Sequence, residues 1–135
     1  LLVSKYNNYF GIGPHGDGRN RVAVLDPRAS QKDPYADARV MKPVETILSP
    51  VHQPGTPAGA RYEWCINSAV VDPADHSVIV NSEAGTLYRW DLDRNSLAEE
   101  IHLNGPRPEA YTPTLIGPDG TVYAATHGRG IWTVS

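Results

Sequence analysis

An internal repeat constrains this chain more than any other feature. The segment Ser68-Ala69-Val70-Val71-Asp72-Pro73 lies over Pro113-Thr114-Leu115-Ile116-Gly117-Pro118 at an offset of 45, so that Pro73 meets Pro118. One deletion at the turn carries the match on at an offset of 44. Asp75 then lies over Asp119, Val78 over Val122, Leu87 over Ile131 and Tyr88 over Trp132. A looser, earlier copy sets Phe10-Gly11-Ile12 over Val78-Ile79-Val80, and Arg21 to Asp26 over Thr86 to Asp91. Short apolar runs recur between turn signals such as Asp26-Pro27, Asp72-Pro73 and Gly117-Pro118-Asp119-Gly120, and no longer stretch carries helical periodicity.

These runs predict strands at Tyr9 to Ile12, Arg21 to Leu25, Val44 to Leu48, Ile66 to Val71, Ser77 to Asn81, Leu87 to Leu92, Ala98 to Leu103, Thr112 to Ile116, Thr121 to Ala125 and Ile131 to Val134, with Leu1 to Tyr6 as one more candidate. A period in the mid-forties with four strands per unit is the spacing of β-propeller blades. One blade cannot cover both faces of its own sheet, so neighbouring blades stack face to face. Strands covered on both sides become nearly continuously apolar, as Ala69-Val70-Val71 and Val78-Ile79-Val80 are. The run Ala98 to Leu103, with Glu99, Glu100 and His102, reads as an exposed outer edge. The expectation is an all-β propeller fragment of about two and a half to three four-stranded antiparallel blades. It forms one partial domain over 1–135: a first blade at 1–50 with strands B to D, an inter-blade loop at 51–65, a second blade at 66–103, and an incomplete third blade at 104–135.

Composition narrows the function classes. Hydrophobic content of 40% against 20% charge predicts a folded chain. A net charge of -3 argues against a phosphate-backbone partner, so no nucleic acid is expected. No apolar stretch approaches the ~20 residues of a spanning helix. The single cysteine, Cys65, excludes an internal disulfide and reads as a buried small apolar residue between Trp64 and Ile66. Twelve glycines and twelve prolines are spread between the apolar runs, as turn punctuation is.

The segment Val78-Ile79-Val80-Asn81-Ser82-Glu83-Ala84-Gly85-Thr86-Leu87-Tyr88-Arg89-Trp90-Asp91 resembles a blade of the WD-repeat and pyrroloquinoline-quinone-like propellers, with a small-Gly-x-aromatic turn and a strand ending in Trp-Asp. Arg21 to Pro27 resembles a strand end of the same superfamily, and Thr126-His127-Gly128-Arg129-Gly130-Ile131-Trp132 is similar to strand ends of sortilin-like and sialidase-type repeats. The sialidase Asp-box, Ser-x-Asp-x-Gly-x-x-Trp, is absent, and the Gly-His…Trp-Asp signature is incomplete. The resemblance therefore implies blade architecture and transfers no catalytic residue.

Other motifs read as structure. Gly11-x-Gly13-x-x-Gly16 spells a dinucleotide fingerprint, but that chemistry needs a helix N-terminus at the pyrophosphate, and here the glycines lead through Gly18 into a strand. Asp91-x-Asp93-x-Asn95 begins like a calcium loop, but Ser96 stands where glycine is needed and His102 where the bidentate glutamate is needed. The five histidines form no short metal-binding pair, and no Gly-x-Ser-x-Gly elbow is present. No metal or cofactor is expected.

Within the resemblance, B–C turns and D–A connections open on one ligand-binding face. His15, Glu83 and His127 then start equivalent B–C turns, with Asp17, Arg19 and Arg129 beside them. The D–A connections add Glu63, Trp64, Arg107, Glu109 and Tyr111. Mixed Trp, Tyr, Arg and carboxylate surfaces suit recognition of a protein or glycan. The irregular connection from Ser49 to Arg61 reads either as a lid over this face or as a mobile surface loop. The leading expectation is a binding or scaffold module. Its alternative is a piece of a propeller enzyme, quinoprotein-like dehydrogenase or carbohydrate-active, with catalytic groups in other blades. Fewer than three complete blades cannot close a ring, so further blades are expected from a longer chain or from other copies.

Overall fold

The computed structural model describes residues 2–65, 69–103, 113–126 and 130–135. The described chain is all-β, with ten strands in three small antiparallel sheets. In chain order these are β1 (Leu2–Tyr6), β2 (Arg21–Lys32), β3 (Arg39–Leu48), β4 (Val70–Asp72), β5 (Ser77–Ser82), β6 (Thr86–Asp91), β7 (Ser96–His102), β8 (Leu115–Ile116), β9 (Val122–Thr126) and β10 (Gly130–Val134). Each sheet is a meander in which sequence neighbours pair: β1-β2-β3, β4-β5-β6-β7 and β8-β9-β10.

The sheets pack face on face, and side-chain alternation along each strand decides which residues meet. Val22 and Val24 of the first sheet, with Val3 and Ile47, pack against Val78, Val80, Tyr88 and Trp90 of the middle sheet. The opposite face of the middle sheet, through Val70, Ile79 and Leu87, packs against Ile116, Val122, Ala124, Trp132 and Val134 of the third. Strand β5 is therefore buried at all six positions. This is why Val78-Ile79-Val80 reads as an unbroken apolar run: consecutive residues point into different cores. Strand β7 is exposed along its last five residues, as its charges require. Cys65 is buried, and its N–H donates to the Asn81 carbonyl at 3.0 Å.

The first sheet corrects two strand expectations. Tyr9 to Ile12 is not a strand, and its place is taken by β1, so that Tyr6 rather than Ile12 ends the strand before the turn. The cause is local. Gly11 and Gly13 adopt left-handed φ values of 73° and 67°, and the Ile12 N–H donates to the Tyr9 carbonyl, closing a turn. Asp26-Pro27 is not a strand end either, because β2 continues to Lys32.

Pairing between β2 and β3 slips at Val24/Leu25 and again at Asp26/Ser30, next to Pro43 and Pro27. Neither proline can donate a ladder hydrogen bond, and both slips are bulges that bend the ribbon. The bent outer part, residues 26–42, forms an arm. Its tip returns along the sheet until Tyr35 stacks on His15, with ring centroids 4.2 Å apart and planes at 16°. Strand β1 pairs with β2 from Arg21 to Leu25, and the arm extends beyond that pairing.

Candidate functional site

The β1–β2 loop (7–20), residues 49–65 after β3 and the β5–β6 turn lie at one end of the stack. Two backbone hydrogen bonds bind the last two there. The Glu83 N–H donates to the Glu63 carbonyl and the Cys65 N–H to the Asn81 carbonyl, both at 3.0 Å, and together they form the Trp64–Ser82 bridge. Asn20, 2% exposed, is the hub of the first loop. Its Oδ1 accepts from the Asn8 N–H at 3.0 Å, its Nδ2 donates to the Arg61 carbonyl at 2.9 Å, and its carbonyl accepts from the Ser49 N–H at 2.9 Å. Gly18 lies against buried Ala60 and bonds both Asn8 and Arg61 through its backbone. The two ends of the Ser49–Arg61 connection are thus clamped onto the β1–β2 loop, through Ser49 at one end and Ala60 and Arg61 at the other, while most of the residues between them are exposed.

Glu63 makes a second clamp. Its Oε2 accepts from Lys5 Nζ at 3.0 Å and from the Tyr9 hydroxyl at 2.6 Å. Burial alone would lower the Lys5 pKa, but hydrogen bonds with Tyr9 and Glu63 outweigh it and hold the ammonium above its ordinary value. Asp17 shapes the loop by accepting from Asn8 Nδ2 and the Arg19 N–H, both at 2.8 Å. Glu63 therefore ties side chains of β1 and the β1–β2 loop to the connection, and Asp17 holds the loop backbone.

Two of the residues expected on the recognition face are solvent-facing and not occupied in clamping: His15, stacked on Tyr35, and Arg19. Glu83 sits half-buried in the β5–β6 turn. Trp64 requires a correction. It is 0% exposed, edge-on to Tyr88, and belongs to the core between the first and middle sheets. Its apolar ring is the largest side chain available to fill the space where the connection crosses that core, so it cannot anchor a surface ligand. Arg107, Glu109, Tyr111, His127 and Arg129 lie outside the described residues.

Sequence reasoning missed the apolar part of this end. Phe10 (47% exposed) and Ile12 (70%) project from the glycine-pinned turn once it is a loop and not a strand. Alternation of Gly11 and Gly13 around Ile12 was the available signal, since two left-handed residues cannot continue an extended strand.

One pairing elsewhere has the letters of catalysis. The Thr86 hydroxyl lies 2.8 Å from His102 Nδ1, and Glu100 lies 3.9 Å from His102 Nε2. Thr86 is directly opposite His102 in the ladder and is 2% exposed, so no substrate can reach its hydroxyl, and the glutamate is beyond hydrogen-bond range. It is a cross-strand pair. The Asp91-x-Asp93-x-Asn95 segment is likewise a turn. Asp91 accepts the N–H groups of Asp93 and Arg94, and Asn95, at φ 48°, accepts from Trp90 Nε1 at 3.0 Å. Among the described residues, no group of three or more His, Cys, Asp or Glu side chains is placed to hold a metal ion, and no helix is long and apolar enough to cross a membrane.

Comparisons with protein-family models, with curated proteins and with solved structures find no match.

Proposed function

We propose that the three sheets are consecutive blades of a β-propeller-type module that binds a protein partner through the loop end built around residues 7–20. Two features support the blade reading: the offset of 44 to 45 residues, and packing in which the middle sheet offers one face to the sheet before it and the other to the sheet after it. The observation that carries the binding reading is the clamped loop. A turn held by Asn20, Asp17 and Glu63 displays Phe10 and Ile12 beside His15 and Arg19 at low entropic cost. Exposed aromatic and aliphatic anchors next to an arginine are the composition of protein-binding hot spots.

The test is an array of immobilised proteins and glycans probed with the intact chain and with a Phe10→Ser, Ile12→Ser, Arg19→Ala variant. The expected result is a protein hit weakened roughly 100-fold or more in the variant, with thermal melting unchanged. A hit that survives the three substitutions rejects this loop end. Binding to glycans alone rejects the protein reading.

A further inference from the structure

The two ends of the stack treat their arginines differently. Away from the loop end, the arginines of the middle sheet meet carboxylates. Arg89 pairs with Asp75 at 3.2 Å, Glu99 at 3.1 Å and Asp72 at 3.4 Å, and Arg94 pairs with Asp91. At the loop end, Arg19, Arg21 and Arg61 have no carboxylate at ion-pair distance among the described residues.

The bonds that clamp the loop also group these three. Arg21 Nη1 donates to the Arg19 carbonyl at 2.9 Å. The Arg61 N–H donates to the Gly18 carbonyl at 2.9 Å, and the Arg61 carbonyl accepts from Asn20 Nδ2 at 2.9 Å. Arg61 therefore lies against the residues on either side of Arg19. Its Nη1 donates to the carbonyls of Ala58 and Ala60 at 2.9 and 3.1 Å. Carbonyl acceptors hold Arg21 and Arg61 in place and leave their charge unneutralised. The acids of this end are engaged elsewhere. Glu63 takes Lys5 and Tyr9, and Asp17 Oδ1 takes Asn8 and the Arg19 N–H, neither a guanidinium. Apolar surface adjoins the group, because Phe10 Cβ lies 3.1 Å from where a Cβ on Gly18 would stand.

Grouped like charges repel, and an anionic partner removes that cost. Each guanidinium presents parallel N–H groups that match a carboxylate. The chain as a whole carries a net charge of -3, which repels a long polyanion and tolerates a short acidic stretch. We infer that the loop end takes an acidic segment of its partner, with carboxylates on Arg19, Arg21 and Arg61 and an apolar side chain against Phe10 and Ile12. This rests on the protein-binding reading above and adds the charge of the partner to it.

Selection from a randomised peptide library on the immobilised intact chain tests the charge apart from the loop. The expected result is enrichment of peptides with several Asp or Glu beside an apolar residue. Their affinity should fall roughly tenfold or more when Glu is replaced by Gln, and should weaken with added salt. An Arg19→Glu, Arg21→Glu variant should lose the acidic selection, and Arg19→Lys, Arg21→Lys should keep it at lower affinity, with thermal melting checked for each. Enrichment of uncharged apolar peptides, lost on Phe10→Ser, Ile12→Ser, overturns the acidic segment and keeps the loop-end reading. Acidic peptides that still bind the Arg19→Glu, Arg21→Glu variant bind elsewhere and overturn the inference. An oligothymidine that binds more tightly than the enriched peptides assigns the arginines to phosphate and overturns it too. No enrichment at all also overturns it, and the protein array then decides the loop-end reading by itself.

Discussion

The middle and third sheets share one sequence pattern and differ in fate. Leu87 and Ile131 occupy the same repeat position on β6 and β10, yet Leu87 is 4% exposed and Ile131 is 68% exposed. Among the described residues, the middle sheet has a neighbour on both faces, and the third has one on only one face. An apolar residue in a strand thus states that its face is suited to packing. Whether it is packed depends on the supply of a second sheet.

The strongest way to break this comparison is to truncate both residues. Leu87→Ala should destabilise by about 2–4 kcal/mol, and Ile131→Ala should stay within about 0.5 kcal/mol under conditions where the chain is monomeric. Urea denaturation of each variant reads the difference. Equal losses would mean that the third sheet is covered in the single chain and that the contrast is false.

Glycines sharpen the comparison between the clamped loop end and the open third sheet. Gly18 has φ +74° and its missing Cβ would lie 2.6 Å from the Ala60 side chain, whereas Gly120 has φ +83° with nothing within 4 Å. Gly18→Ala should cost about 2 kcal/mol or more, from strain plus a clash with the connection, and Gly120→Ala about 1 kcal/mol from strain alone. Thermal melting separates the two. A milder effect at Gly18 would show that the connection yields and is not clamped.

A smaller effect is expected in the β6–β7 turn of the middle sheet. Asn95→Ala removes the acceptor for buried Trp90 Nε1 and places a Cβ-only residue at φ 48°, for a loss of about 1–2 kcal/mol. Asn95→Asp keeps an acceptor and should recover part of it. A denaturation midpoint unaffected by Asn95→Ala would remove this turn from the middle sheet's advantage.

The smallest effect is on pH. A bond from the Arg94 side chain lowers the Asp91 pKa, and the Thr121 N–H lowers that of Asp119. Both folded values lie below the ordinary carboxylate value of 3.8. Their stabilisation is therefore present above that pH and fades as pH falls through the folded values. Stability should be lost progressively below about pH 4, and Asp91→Asn should flatten that acid limb while Asp119→Asn flattens it separately. An acid limb unchanged in both variants would assign the loss to other carboxylates.

The middle and third sheets were legible because their chemistry is local and periodic. Strands β5 (Ser77–Ser82) and β6 (Thr86–Asp91) begin and end within a residue of the expected runs, Ser77 to Asn81 and Leu87 to Leu92. The first sheet was not, because Phe10-Gly11-Ile12 is apolar enough to pass for a strand, and only the left-handed glycines around Ile12 exclude it. The candidate site was legible in part. His15 and Arg19 were expected on the loop end and are exposed there, and Glu63 was expected there and acts as a clamp. Trp64 was misread because a tryptophan in a polar connection looks the same from sequence whether its ring faces water or the core.

The sequence by itself determined the element type, the spacing of the strands and the two-sided apolar character of β5, since alternation and turn residues act over a few neighbours. The tertiary structure decided which face of each sheet is covered, that the ribbon beyond Pro27 and Pro43 bends back to set Tyr35 on His15, and that Trp64 is core while Phe10 and Ile12 are surface. These depend on residues that meet only after the sheets have stacked, and burial is a property of such meetings, not of the residue that is buried.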